Sequence, residues 1–356
     1  DKTYESTKYN GFLNLCNFHS WILFYVNLDE VSVTDADVYP GVQLFSQNLL
    51  NTAITSAGYS YRNKNHFINT TFTFKGMRPI FEFSMEYGGD IVPFSPQNIE
   101  VPSVTQQYMS QNYRLYLPIN LTRSKYFTNV VPSIELEHGR DIYFDFPTGD
   151  FRKGLTFLKT NILFYRLLKT AHRDIHPTFG QVLQAQFFTS PADRQNFGSM
   201  IRLFGTLYFP GMFQNHSFIL KGNYQNQEIK NYFLPFSFSY PRGFEPIRTS
   251  TVATLSADYA LPIVYPDLDL LQFLYIKRIK GKAFYDLLNT NPLIMQNNRL
   301  TEAGNKFYHS YGIEFTTDFH IANILFPLNM GYRFGYQPEI NRTFGEFVFN
   351  LDIARF

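Results

Sequence analysis

Histidines that lie near carboxylates are the residues of this sequence that could do chemistry. There are two such groups: His138 with Glu135 and Glu137, and His172 with Asp174 and His176. A histidine beside a carboxylate can act as a general base, and a cluster of such groups can hold a metal ion. Neither group comes with a nucleophile or a full set of ligands, so we interpret both as polar residues of outward loops. The sequence therefore predicts that the protein is not an enzyme and has no catalytic site, no metal site and no cofactor.

Composition narrows the class of protein further. Aromatic residues make up 18% of the 356 residues, with 39 Phe and 25 Tyr. A soluble core does not need so many rings, whereas the interfacial belts and the outward apolar band of a membrane barrel use them in quantity. The net charge is only +2, and no run of Lys or Arg would follow a phosphate backbone, which excludes nucleic acid as a partner. The single cysteine, Cys16, has no partner for an internal disulfide, and we interpret it as a small apolar residue.

The elements that must position any site are β-strands, because apolar and polar residues alternate along the chain. In the clearest segment one parity is apolar and the other is polar or small: Ile324, Phe326, Leu328, Met330, Tyr332, Phe334 and Tyr336 against Asn323, Asn329, Gly331, Arg333 and Gly335. Successive side chains of a strand point to opposite faces, so such a strand has one lipid face and one wet face. Similar segments occur at 231–240, 250–263 and 307–316. The longest apolar runs, such as 21–26, are too short for a spanning helix of about 20 residues.

The number of such segments predicts a transmembrane antiparallel β-barrel. We count 16 candidate strands from about Val38 to the end, separated by turn-forming clusters at 87–90, 147–150 and 289–292. Closure is expected because an open sheet edge in hydrocarbon leaves unpaired backbone groups, at several kcal/mol each. The alternative all-β folds are a soluble sandwich and a propeller, which the long alternating runs and the lack of a per-blade repeat disfavour.

The first part of the chain does not share this pattern. Residues 1–37 mix polar residues into an apolar run, so this segment is either a plug in the lumen or at the periplasmic mouth, or a first strand, and residues 38–356 form the barrel. Because no charged-then-apolar signal precedes Cys16, we expect the chain to be a mature protein or a fragment of one.

Two motifs in the last third resemble the outer-membrane assembly and transport barrel superfamily, which includes BamA-like insertases, TamA-like proteins and two-partner-secretion transporters. Pro241-Arg242-Gly243-Phe244 falls between our eleventh and twelfth predicted strands. In that family an Arg-Gly-aromatic motif caps the sixth extracellular loop, which folds back into the lumen at this point of the strand order. Phe284-Tyr285-Asp286 is similar to the family's Phe-x-Asp-x-Gly, whose Asp receives the loop arginine, although Leu288 stands in place of the Gly.

The resemblance implies that Arg242 binds Asp286 inside the lumen, and the physical chemistry agrees with it. A guanidinium in a narrow polar space needs a carboxylate, and it can bind one in bidentate geometry. Phe284 and Asp286 have the same parity, so both can face inward. The alternative is that Arg242, Gly243 and Phe244 form an ordinary loop tripeptide and that Asp286 is a turn residue.

The C-terminus also resembles the last strand of an outer-membrane barrel. Phe347, Phe349, Leu351 and Ile353 share one parity, and Phe356 is a terminal aromatic residue of the kind that the assembly machinery recognises, one position out of phase. The segments 17–21 and 46–50 are similar to barrels that follow a β-propeller domain in outer-membrane proteins of the Bacteroidetes type. That similarity implies an upstream domain.

These observations predict an integral barrel of the outer membrane of a Gram-negative bacterium. Its expected partners are outer-membrane lipid, lipopolysaccharide and other proteins of an outer-membrane complex. Two functions remain open. One is the insertion or translocation of other outer-membrane or surface proteins, with the lumen plugged by the loop that carries Arg242. The other is a passive channel, or a structural barrel, whose lumen is lined by charged rings.

Overall fold

A computed structural model of the chain describes thirteen stretches of residues. They are residues 17–27, 37–62, 64–90, 107–145, 150–171, 173–192, 194, 197–230, 240–244, 249–270, 273–296, 299–321 and 328–351. The expected strand at 231–240, apart from Tyr240, and the residues Cys16, His172, Ile353 and Phe356 lie outside them.

The described residues form one antiparallel sheet of 19 strands. The strands are β1 (Phe18–Asn27), β2 (Asp37–Gln47), β3 (Ala53–Arg62), β4 (Asn65–Phe74), β5 (Ile80–Asp90), β6 (Gln107–Tyr116), β7 (Ile119–Asn120), β8 (Tyr126–Asp145), β9 (Asp150–Leu168), β10 (Gly180–Thr189), β11 (Met200–Pro210), β12 (Ser217–Gln227), β13 (Thr249–Val264), β14 (Leu268–Leu270), β15 (Leu274–Gln296), β16 (Arg299–Glu302), β17 (Lys306–Ile321), β18 (Leu328–Gln337) and β19 (Arg342–Leu351). A single turn of 3-10 helix, Pro338–Ile340, joins β18 to β19.

The prediction of an all-β antiparallel fold is confirmed, but the count of 16 strands is not. Three of the 19 described strands, β7, β14 and β16, are only two to four residues long. β7 pairs with β8, and β14 and β16 pair with β15, so each extends a hairpin of a longer neighbour. Short ladders of this kind leave no alternation long enough to be recognised in a sequence.

The two faces of the sheet differ as the alternation predicts. On β17 the side chains of Glu314, Thr316 and Asp318 are buried, whereas those of Ile313 and Phe315 are exposed. Polar side chains are therefore enclosed, and apolar side chains cover the outside. We call the enclosed side the lumen. Among the described residues no helix is long and apolar enough to cross a membrane.

The two ends of the sheet approach each other. Ile22 and Phe24 of β1 pack against Phe319 of β17 and Leu328 of β18, and Cα atoms of β2 and β19 approach within 8 Å. Within the described part of the chain no hydrogen-bonded ladder joins β1 to β19. We call this junction the seam.

The connections define the two ends of the structure. The longest, 228–248, joins β12 to β13 at what we call the loop end, and connections such as 48–52, 75–79 and 211–216 lie at the opposite, turn end. Two expectations about connections were wrong. Residues 289–292 lie inside β15 rather than in a turn, and His138 lies on β8 rather than on a loop. Residues 87–90, which suit a tight turn or a loop entry, are the last four residues of β5. Residues 18–27 form a strand that pairs with β2, while the boundary at residue 37 stays a prediction.

Candidate functional site

The tetrapeptide Pro241-Arg242-Gly243-Phe244 forms a tight turn in the connection that leaves the loop end. The backbone N–H of Phe244 donates a hydrogen bond to the carbonyl oxygen of Pro241, at 3.1 Å. Gly243 has a φ of +83°, which is the value required at the third position of a type II turn and which glycine adopts without a steric penalty. The turn projects Arg242 towards the lumenal wall.

Arg242 joins two strands of that wall. Its Nη2 lies 2.5 Å from Oδ1 of Asp258 on β13, and its Nε lies 3.5 Å from Oδ2 of Asp286 on β15. The backbone N–H of Arg242 also donates to Oδ2 of Asp286, at 3.0 Å. The guanidinium is thus divided between two carboxylates and does not bind one of them in bidentate geometry.

The turn reaches deep into the lumen. Asp258 lies nine residues from the first residue of β13, Thr249, which corresponds to roughly 30 Å along a strand. The Arg242 side chain is 12% exposed, and those of Asp258 and Asp286 are each 1% exposed. Burial alone would lower the pKa of the Arg242 guanidinium, but the neighbouring Asp258 and Asp286 raise that pKa above its ordinary value. Arg242 is therefore a permanent cation in this site.

Aromatic rings complete the surroundings of the turn. The Arg242 guanidinium carbon lies 4.3 Å from the ring centroid of Phe284, a distance at which cation and ring attract each other. A Cβ on Gly243 would lie 2.6 Å from the ring of Phe344, and one on Gly335 would lie 2.3 Å from the same ring. The ring of Phe344 therefore lies between Gly243 and Gly335. In a separate contact, the ring of Phe244 packs against that of Tyr308, with 5.4 Å between the ring centroids.

An ion-pair network extends from this site across the last strands. Glu314 on β17 accepts from Lys282 at 3.0 Å and from Arg333 at 2.8 Å. Arg333 also reaches Glu346 on β19, at 3.0 Å. Because each pair joins neighbouring strands, the network fixes the relative position of β15, β17, β18 and β19 on their lumenal side.

A second segment enters the lumen from the turn end. Arg278 on β15 donates through Nη1 to the carbonyl oxygens of Asp174, at 2.7 Å, and of Arg173, at 3.3 Å. Its Nε lies 2.5 Å from Asp318. The connection between β9 and β10 is thereby held against β15, although three strands, β11, β12 and β13, lie between β10 and β15 in the sheet. Tyr265 strengthens this contact by donating to the carbonyl oxygen of Arg173, at 2.9 Å.

The structure brings together five of the residues that the sequence singled out. Arg242, Gly243, Phe244, Phe284 and Asp286 converge in the lumen, and Phe284 and Asp286 both face inward. Asp258 is a partner of Arg242 that was not among the predicted site residues. The sequence feature that could have identified Asp258 is its parity, because Asp258 lies with Ser256 and Thr254 on the polar side of β13.

The histidine groups are dispersed. His138 bonds Thr156 at 2.7 Å, on the outer face, whereas Glu135 faces the lumen and binds Lys159 at 2.9 Å. Asp174 accepts from the backbone N–H of Ala171, and His176 packs against the ring of Tyr208. Within the described stretches there is no group of three or more residues that could hold a metal ion.

Comparison with solved structures gives the fold a place among known proteins. The chain is similar to the crystal structure of BamA from Haemophilus ducreyi lacking POTRA domains 1–3, with a TM-score of 0.51 and 10% identity over 96% of this chain and 70% of that one. It is also similar to CdiB from Escherichia coli, with a TM-score of 0.50 and 9% identity over 88% of this chain and 59% of that one. No family model and no curated protein matches the sequence.

At these identities the likeness establishes the fold. The chain has the fold of the BamA and CdiB barrels, as the sequence resemblance predicted. The Bacteroidetes type and the upstream propeller domain stay predictions.

Proposed function

We propose that this protein is an integral barrel of the bacterial outer membrane that inserts or translocates other outer-membrane or surface proteins, as part of a larger complex and without enzymatic activity. The observation that carries the proposal is the position of Arg242. A loop residue is held in the lumen by Asp258 and Asp286, on strands 16 and 44 residues away along the chain. The shared fold with BamA and CdiB supports the same assignment.

A passive channel is the alternative, and the lumen argues against it. The turn with Arg242 occupies the lumen from the loop end, and residues 173 and 174 enter it from the turn end. A channel needs a continuous aqueous path lined by charged or polar rings. Ion pairs hold the Arg242 turn in the lumen, and hydrogen bonds from Arg278 hold residues 173 and 174 there. Two inward segments fixed in this way favour a protein whose substrate does not diffuse freely through the lumen.

The seam offers another route for a substrate protein. Apolar contacts of Ile22 and Phe24, rather than a described ladder, hold the two ends of the sheet together there. Unpaired strand edges pair readily with another strand. We propose that a substrate strand enters at the seam while the loop keeps the lumen closed. We infer that the outward apolar side chains contact lipid and lipopolysaccharide and that the turn end faces the periplasm, as the short turns of outer-membrane barrels do.

The test replaces the chromosomal gene by an Arg242→Ala variant and measures the outer-membrane proteome of the cells. We expect loss of outer-membrane or surface proteins while the variant barrel itself remains folded, as judged by its heat-modifiable mobility on gels. Arg114→Ala is the matched control, because Arg114 is also a lumenal arginine between two carboxylates, Glu82 and Glu135, away from the loop. A normal proteome in cells with folded Arg242→Ala protein refutes the proposal.

A further inference from the structure

A group of cations lies at the turn end, where β8 begins and β9 ends. Lys125, Arg166 and Lys169 are all exposed, and within the described part of the chain none of the three forms an ion pair. The backbone N–H of Lys169 donates to the carbonyl oxygen of Lys125 at 3.0 Å, which sets the two lysines opposite each other. We call these three residues the rim cations.

The ring of Tyr126 holds two of the rim cations close together. The Arg166 guanidinium carbon lies 4.5 Å from the ring centroid of Tyr126, and the Lys125 ammonium lies 5.6 Å from the same centroid. The two charges are therefore within about 10 Å of each other, a separation comparable to the Debye length at physiological salt. Lys169 lies 5.1 Å from the ring of Phe127, which has the parity of the lumenal Glu135, so Lys169 flanks this pair from the lumenal side of the rim. Like charges at such distances repel each other, and a bound anion would relieve that repulsion.

Arg166 and Tyr126 lie at the border of the lipid-facing surface. On the outer face of the same two strands, Ile134, Leu136 and Ile162 are exposed apolar side chains. Arg166 has the parity of Ile162 and lies four residues nearer the turn, roughly 13 Å along the strand. Cationic side chains with aromatic neighbours at this depth typify the level of the lipid headgroups.

The adjacent connection adds charge of the same sign. Lys75 and Arg78, between β4 and β5, are both exposed, and β5 is joined to β8 through β6. We therefore expect the anion that binds at this part of the rim to be present in many copies, as headgroups are in a leaflet.

We propose that the rim cations bind the phosphate of anionic phospholipid headgroups in the leaflet at the turn end. The inference requires only that the outer face contacts lipid, and it does not depend on a role in insertion or translocation. Each cation near a membrane surface contributes an attraction that corresponds to about a fivefold change in affinity.

The experiment measures binding of fluorescent phosphatidylglycerol and phosphatidylcholine, in mixed micelles, to the protein purified from its own membrane. We expect about a hundredfold tighter binding of phosphatidylglycerol at low salt if the three contributions multiply, with the preference falling as salt is raised. Replacing the rim cations together (Lys125→Gln, Arg166→Gln and Lys169→Gln) should abolish the preference. The matched control removes two lysines and one arginine at the loop end, Lys64→Gln, Lys306→Gln and Arg342→Gln, all exposed, and should keep it.

A second variant distinguishes loss of lipid binding from a folding defect. Exchanging the cation types (Lys125→Arg, Arg166→Lys and Lys169→Arg) keeps the charge, and we expect it to keep the preference. Equal affinities for the two lipids in the wild type, or an unchanged preference in the Gln variant, overturn the proposal. Displacement of phosphatidylglycerol by millimolar inorganic phosphate also overturns it, because the group would then be a site for free phosphate.

Discussion

The Arg242 guanidinium binds Asp258 at 2.5 Å and approaches Asp286 only through Nε, at 3.5 Å. The two carboxylates therefore have different tasks. Asp258 neutralises the side chain, and Asp286 also accepts the backbone N–H of the turn. Each task can be removed separately.

Trypsin offers a direct test of this division, because it cleaves after Arg242 once the turn leaves the lumen. Asp258→Asn removes the shorter ion pair, and we expect cleavage at the Arg242–Gly243 bond to be at least about tenfold faster than in the wild type, the effect of roughly 1.4 kcal/mol. Asp286→Asn retains an oxygen that accepts the backbone N–H, so its effect should be smaller. Fragment masses from timed digests identify the bond, and faster cleavage in Asp286→Asn than in Asp258→Asn contradicts the division.

Gly243→Ala tests the geometry of the turn. With φ at +83° and a Cβ 2.6 Å from the ring of Phe344, alanine meets both backbone strain of about 1–2 kcal/mol and a steric clash. We expect the turn to leave the lumen more readily, as measured by the same cleavage. Adding Phe344→Ala should restore part of the protection, because it removes the clash and leaves the strain. Protection at the wild-type level in Gly243→Ala alone refutes the geometry.

Glu314→Gln tests the network on the last strands. The Glu314 side chain is 3% exposed and pairs with Lys282 and Arg333. Arg333 keeps Glu346 as a partner, so the variant removes the carboxylate partner of Lys282, a side chain that is 25% exposed, at a cost of about 2 kcal/mol. Glu346 is 39% exposed, and its replacement by Gln should cost about 1 kcal/mol or less. The midpoint temperature of the heat-induced mobility shift reports both losses of stability. We expect this midpoint to be highest in the wild type, lower in Glu346→Gln and lowest in Glu314→Gln. Equal midpoints for the two variants would show that burial does not govern the network.

Conductance in planar bilayers tests whether both inward segments close the lumen. Arg242→Ala releases the segment at the loop end, and Arg278→Met removes the donor that holds the carbonyl oxygens of residues 173 and 174. We expect each single variant to conduct little, because the other segment still obstructs the lumen, and the double variant to conduct clearly more than the two singles combined. Full conductance in Arg242→Ala alone would show that the segment at the turn end is no barrier.

How far the sequence could predict this molecule depends on the range of each interaction. Strand alternation is local, so the faces of β17 and β18 could be predicted from Phe315, Thr316 and their neighbours. The cluster at 289–292 was misassigned, because the residues that make turns elsewhere are overridden here by pairing of β15 with β13 and β17. His138 was assigned to a loop for a similar reason, as β8 and β9 extend far as one long hairpin.

The site was only partly predictable for the same reason. Arg242, Phe284 and Asp286 came from a motif resemblance. Asp258 carried no motif, and it becomes a partner only because β13 lies beside β15. The hydrogen bonds from Arg278 to the carbonyl oxygens of residues 173 and 174 join groups about a hundred residues apart. No local sequence pattern predicts a contact of this range.

The most direct test of the account places the purified protein in liposomes and follows two signals together, the insertion of an unfolded outer-membrane protein and the release of a small trapped dye. We expect the wild-type protein to accelerate insertion while the dye stays inside, and Arg242→Ala to lose the acceleration. Rapid release of the dye, with no effect of the wild-type protein on insertion, would contradict the account and identify a passive channel.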